Sequence, residues 1–186
     1  MLFRIFIALL FLIGILYLLA PGLKSIADFP GTPGAVKSDE PGDTYQNPNI
    51  AGYYGDKRRN FVTNFYKNIY ETIKIGSLTL PSIRLNHPPE EAFKYIRDQQ
   101  RSTYLEEYLY PLRGSIFVNG YEPFDENGKK FNHGSYPLDF KDKIYPTKVT
   151  IRYYYVPMHI RIGIYILYWL FGIALFHLLK KGLKND

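Results

Sequence analysis

Apolar residues gather at the two ends of the chain, and between them polar and apolar positions alternate in shorter runs. Ile5 to Ala20 is a stretch of sixteen uncharged residues, and Met1 to Phe3 extend it past Arg4, whose long side chain can reach a membrane surface. A bilayer core of roughly 30 Å needs about 20 apolar residues, so this block is short but sufficient. A secretory signal peptide opens in the same way. Leu18 fits a small-residue cleavage site poorly, and Pro21 would follow the cut. Residues 1–20 are therefore expected to form an uncleaved signal-anchor, with cleavage as the rival reading. Ile162 to Leu179 is a second uncharged block of eighteen residues, preceded by Arg161 and followed by Lys180, Lys181 and Lys184. The pattern predicts a transmembrane helix over 160–179 and a basic tail over 180–186.

Basic residues beside short flanks face the cytoplasm, whereas long segments cross largely regardless of charge. Lys180, Lys181 and Lys184 put the C-terminus inside, and Arg4 with the terminal amine puts the N-terminus there too. The expected arrangement is a multi-pass cell-membrane protein of two spans. Both termini are cytoplasmic and the central domain lies outside.

The interior divides in two. Residues 21–56 hold five prolines and six glycines, with five acidic residues against two basic ones, and read as a flexible linker. Residues 57–157 read as a folded extracytoplasmic domain. Phe61, Phe65, Ile69 and Ile73 recur every four residues beside Val62, Tyr66 and Tyr70, predicting a helix over 57–74 with Asp56 as its cap. The adjoining run Lys57-Arg58-Arg59 reads as a solvated face. Ser77 to Asn86 reads as a strand interrupted at Pro81. Pro88, Pro89, Glu90 and Glu91 suit the first turn of a helix, expected to run to about Tyr110. Strands follow over Arg113–Tyr121 and Thr147–Val156, the latter alternating Val149, Ile151, Tyr153 and Tyr155 with Lys148, Thr150 and Arg152. The expected fold class is α+β: two transmembrane helices flank a small extracytoplasmic domain with an antiparallel sheet of about three strands and one or two helices.

Composition narrows the chemistry. The 186 residues carry a net charge of +6 and no cysteine, which removes disulfides, thiolate metal sites and cysteine nucleophiles. There is no G-x-S-x-G, S-x-x-K or glycine-rich phosphate loop. His87 beside Glu90 and Glu91 does not make a metal-binding spacing, and those residues suit a helix start better. Glu106 and Glu107 could pair with Glu90 and Glu91 as glycan-cleaving carboxylates, but a solvated helix face accounts for them more simply. No catalytic residue, metal or cofactor is expected.

Tyrosine is the one excess, with 18 residues. Tyrosine beside arginine can stack on sugars or build protein interfaces. Arg97, Arg101, Arg113, Tyr121, Arg152 and Tyr154 are the candidate ligand or partner contacts, and Tyr165 and Trp169 are candidates for helix packing within the membrane. A basic exterior favours anionic partners. The scattered basic residues and exterior location fit nucleic acid poorly. Expected partners are the lipid bilayer and other membrane or envelope proteins, with a second copy of the chain as a further candidate. The chain is expected to be a non-enzymatic interaction or assembly subunit of a bacterial cell-envelope complex. The alternatives are an envelope-glycan or anionic-lipid binding module and, last, a hydrolase.

Overall fold

A computed structural model describes residues 2–44, 48–75, 77–85, 103–125, 127–130 and 136–183. The chain order is α1 (Leu2–Leu19), β1 (Val36–Lys37), β2 (Ile50–Gly55), α2 (Arg59–Tyr70), β3 (Lys74–Ile75), β4 (Leu78–Thr79), β5 (Ile83–Arg84), β6 (Thr103–Tyr110), β7 (Gly114–Tyr121), β8 (Leu138–Phe140), β9 (Lys143–Tyr145), β10 (Thr147–Tyr155) and α3 (Met158–Gly182). The fold is α+β, with three α-helices among the described residues. It divides into two compact units. One comprises Met1–Ala20, Pro111–Arg113 and Val156–Asp186, and the other comprises Pro21–Tyr110 and Gly114–Tyr155.

The second unit is built on a six-stranded antiparallel sheet in the order β1-β2-β10-β7-β6-β5, with β3–β4 and β8–β9 as separate two-stranded ribbons. The sheet is larger than the three strands expected, for two main reasons. The first is β2, which lies in the stretch whose composition suggests a linker. It pairs with β10 over six positions, from Thr147 opposite Gly55 to Arg152 opposite Ile50. Gly52 serves close approach: a Cβ there would lie 2.5 Å from Cγ of Asp43. Its tyrosines anchor the preceding chain, Tyr53 donating to the Phe29 carbonyl at 2.8 Å and Tyr54 to Glu40 at 3.0 Å. Phe29 is itself fully buried, its ring 5.0 Å from that of Tyr153.

The second reason is β6, in the tail of the expected helix over 88–110. Leu105, Tyr108 and Leu109 have helical spacing, but Tyr104, Glu106, Tyr108 and Tyr110 also have period two, and these four are the buried ones. Pairing with β7 over eight positions decides for the strand. The earlier part of that expected helix, residues 88–102, lies outside the described residues.

The first interior helix is shorter than expected. It starts after Arg58 and is capped at Glu71. Val62, Thr63, Tyr66 and Tyr70 form its buried face, while Phe61 lies at the exposed margin. The basic run at its start is partly engaged. Arg58 donates to the Phe124 carbonyl at 2.6 Å and the Asp125 carbonyl at 3.1 Å, and Arg59 lies 3.8 Å from the buried Glu122.

The core beneath α2 is rich in tyrosine. The hydroxyls of Tyr66 and Tyr104 are buried and make no hydrogen bond among the described residues. Burial raises both side chains above the ordinary tyrosine pKa, and nearby Glu122 adds to the effect at Tyr104. Burial and its bond to Glu106 do the same for Tyr108. A raised folded-state pKa favours the neutral form, so this stability is complete below the unfolded tyrosine pKa of about 10 and is lost as pH rises through the folded value. Alkaline titration followed by tyrosinate absorbance is expected to show two phases. Exposed tyrosines ionise first, and the buried set ionises together with loss of near-ultraviolet circular dichroism. A single smooth phase with intact dichroism would contradict this core.

In the first unit, α1 and α3 pack antiparallel. Tyr165 meets Leu10 and Phe11, and Arg161 meets Leu18, so Leu2 of α1 and Gly182 of α3 lie at the same end of the pair. Both helices are long and apolar enough to cross a membrane by length and composition. Their apolar side chains remain largely exposed, Phe171 by 68% and Leu167 by 65%. A helix apolar on all sides needs an apolar surrounding, and a bilayer provides one.

The C-terminal carbonyls of α1, which lack helical partners, are capped by arginine. The buried Arg113 donates to the carbonyls of Tyr17 at 2.6 Å, Leu18 at 3.2 Å and Ala20 at 2.7 Å. Its guanidinium also lies 5.5 Å from the centre of the Tyr17 ring, and the Tyr17 hydroxyl donates back to the Pro111 carbonyl at 2.9 Å. Arg161 adds a longer contact to Leu18.

Candidate functional site

The sheet has two unlike faces. Tyr104, Tyr108, Tyr110, Ile116, Val118, Ile151 and Tyr153 alternate onto the face that α2 covers. The other face is filled in at its β2 side. There Lys148 lies 2.6 Å from Glu40 and 2.9 Å from Asp43, above the Tyr54 ring, which stacks on Phe140 at 4.3 Å. Burial opposes the charge on Lys148. The bonds to Glu40, Asp43 and Tyr54 outweigh it and raise the lysine above its usual range.

Across β6, β7 and β10 this second face stays open among the described residues. The register lines up Leu105, Asn119 and Thr150 in one row and Glu107, Phe117 and Arg152 in the next. A shallow groove of 310 Å³ on this face is lined by Leu105, Phe117, Asn119, Thr150, Arg152 and Tyr154. The Tyr154 ring meets Phe117 edge to face at 5.7 Å, and Arg152 donates to the Tyr154 hydroxyl at 3.3 Å. Leu105 and Tyr154 are each 43% exposed. The groove therefore presents an aliphatic side chain, two aromatic rings, an amide and a cation. Such a surface suits an apolar or aromatic anchor from a partner, or a sugar ring with a nearby anionic group.

The residues singled out from sequence fall in different places. Arg152 and Tyr154 lie side by side in the groove. Tyr121 is on the same face at the far end of β7, and its hydroxyl accepts the Tyr136 N–H at 3.1 Å. Arg113 is in the helix unit, with its guanidinium turned onto α1. Arg97 and Arg101 lie outside the described residues. Tyr165 and Trp169 pack on α1: Phe11 stacks on Tyr165 and meets Trp169 edge to face, each at 5.6 Å. Gly14 makes room for this, since a Cβ there would lie 2.5 Å from Cζ of Tyr165. Leu105, Phe117, Asn119 and Thr150 escaped the sequence reading. The alternation of β7 and β10 could have supplied three of them, but Leu105 was concealed by the helical spacing around it.

Glu106 lines a second cleft of 250 Å³ together with Lys67, Ser82 and Arg84. It is buried on β6 rather than on a solvated helix face, paired with Arg84 at 2.6 Å and bonded by the Tyr108 hydroxyl. These partners hold the carboxylate in place and satisfy its charge. His87, Glu90 and Glu91 lie outside the described residues.

Comparison with family models, with curated proteins and with solved structures returns no match to this chain. The open face of the sheet is thus read from its own geometry.

Proposed function

We propose that the chain is a two-span integral membrane protein with cytoplasmic termini and an exterior domain. It serves as a non-enzymatic interaction or assembly subunit of a cell-envelope complex. The open β6–β7–β10 face is its partner-binding surface. The observation that carries this reading is the groove itself, an apolar and aromatic patch with one cation on a face that is filled in at its β2 side. Exposed patches of this kind commonly serve binding. Lys180 and Lys181 in the last turn of α3, Lys184 just beyond it and the antiparallel helix pair support the orientation.

The absence of native cysteine allows one probe to test both parts. With Asn119→Cys in whole cells, a membrane-impermeant maleimide is expected to react before lysis. A benzophenone maleimide on the same thiol is expected to give one discrete adduct, lost when Tyr154→Ala or Arg152→Ala is added. Reaction only after lysis would put the domain in the cytoplasm. An adduct pattern identical to that from a thiol at the remote, exposed Ile144 would remove the groove as the binding surface.

A second reading, binding of envelope glycan or anionic lipid headgroups at the same groove, draws support from the Tyr154 and Phe117 rings beside Arg152 and Asn119. It predicts binding to envelope polymers that weakens as salt rises.

A further inference from the structure

A larger groove runs along the helix pair. It encloses 720 Å³ between α1 and α3, and Ile7, Trp169, Gly172 and Phe176 are among its apolar lining. Gly172 leaves its floor open, with no atom within 4 Å of where a Cβ would stand. Arg4, His177 and Lys180 all line the end of the groove nearest the chain termini. From Tyr168 to Lys180 the lining runs about 18 Å along the helix at 1.5 Å per residue. Half of a roughly 30 Å hydrocarbon core is of similar depth.

We propose that this groove is a binding site for one anionic glycerophospholipid. An acyl chain lies along Trp169 and Phe176, and the phosphate headgroup is held by Arg4 and Lys180, with His177 beside them. The proposal rests on the membrane reading above. Charge decides between occupants. An apolar trench inside a bilayer is filled either by a lipid chain or by another helix. A second copy in the same orientation would bring its own Arg4, Lys180 and Lys181 toward this basic end, where like charges repel. An anionic headgroup meets the same cluster favourably, and one leaflet's acyl chain matches the length of the trench.

Trp169 is the chain's one tryptophan and lines the groove, so it is the reporter. The full chain is reconstituted into phosphatidylcholine vesicles containing a minor fraction of brominated phosphatidylglycerol or, separately, brominated phosphatidylcholine. Quenching by the anionic lipid is expected to correspond to about tenfold enrichment at Trp169 over its bulk fraction. The double variant Arg4→Gln, Lys180→Gln should lose that excess while keeping quenching by the zwitterionic lipid. Equal quenching by both lipids in the wild-type chain would overturn the site, leaving bulk lipid as the occupant. Absence of quenching by either would overturn it in favour of a covering helix. Flotation of the vesicles after carbonate washing tests the membrane reading separately. A chain that floats but shows no anionic preference refutes only the lipid site, and a chain that is washed away refutes both.

Discussion

A Gly120→Val chain is expected to lose the native sheet, or to unfold roughly 6–12 °C below the wild type, the upper end of the cost of overpacking. Gly120 sits opposite Tyr104 in the β6–β7 pairing, and a Cβ there would overlap the Tyr104 ring at Cζ, Cε1 and the hydroxyl oxygen. The ring cannot easily give way. It is 1% exposed, and the Arg59 guanidinium lies 5.7 Å from its centre. Overpacking a tight core typically costs about 1–3 kcal/mol, and valine adds three carbons where one already collides. Near-ultraviolet dichroism of the full chain in detergent micelles, followed through thermal unfolding, is the measurement. Gly120→Ala should show a smaller loss, and that loss should shrink when measured in a Tyr104→Ala background, because the two changes act on the same space. A wild-type melting curve for Gly120→Val would show that Tyr104 does not occupy this position.

Arg113→Ala is expected to lower the stability of the helix unit by about 3 kcal/mol, or roughly 6–12 °C in midpoint. The guanidinium donates to three carbonyls at the end of α1, and its removal leaves buried acceptors without a partner. It also removes a positive charge from the negative end of the helix dipole. Arg161 reaches one of those carbonyls, at 3.5 Å, and can compensate only in part. Lysine keeps the charge but lacks the planar fork, so Arg113→Lys should fall between alanine and wild type. Thermal unfolding in micelles measures the series. The capping role is refuted if Arg113→Ala melts with the wild type. Arg152→Ala, on the exposed face of β10, serves as the control for loss of an arginine as such and should leave the midpoint unchanged.

Long, uninterrupted patterns were legible in the sequence. The two apolar blocks became α1 and α3, with bounds close to those of the uncharged runs. The alternation of Val149, Ile151, Tyr153 and Tyr155 became β10, and the run around Ile116 became β7. Each of these segments carries one pattern with no competitor. The linker reading of residues 21–56 failed where composition was weighed above position. Gly52 and Gly55 are strand residues that admit neighbouring chain, and Tyr53 and Tyr54 fix that chain in place. The helix reading of 103–110 failed because periods of two and of nearly four coexist there.

The candidate groove was half legible. Arg152 and Tyr154 were visible as exposed positions on an alternating strand. Their neighbours Leu105, Phe117 and Asn119 come from strands whose register the sequence does not record. Arg113 illustrates the same gap from the other side. An arginine ahead of a strand looks like a surface contact, and nothing local shows that it caps a helix almost a hundred residues earlier.

The sequence by itself determined the elements that depend on local pattern: two apolar helices with basic flanks, a tyrosine-rich interior without cysteine, and the alternation of the longest strands. Hydrophobic burial and backbone geometry act within a few residues, so these properties follow from short stretches of chain. The tertiary structure alone decided that β2 joins β10, that the sheet has six strands, that one face stays open across β6, β7 and β10 among the described residues, and that Arg113 closes the end of α1. Each of these depends on pairing between residues far apart in the chain, where the free energy of the whole sheet outweighs local preference.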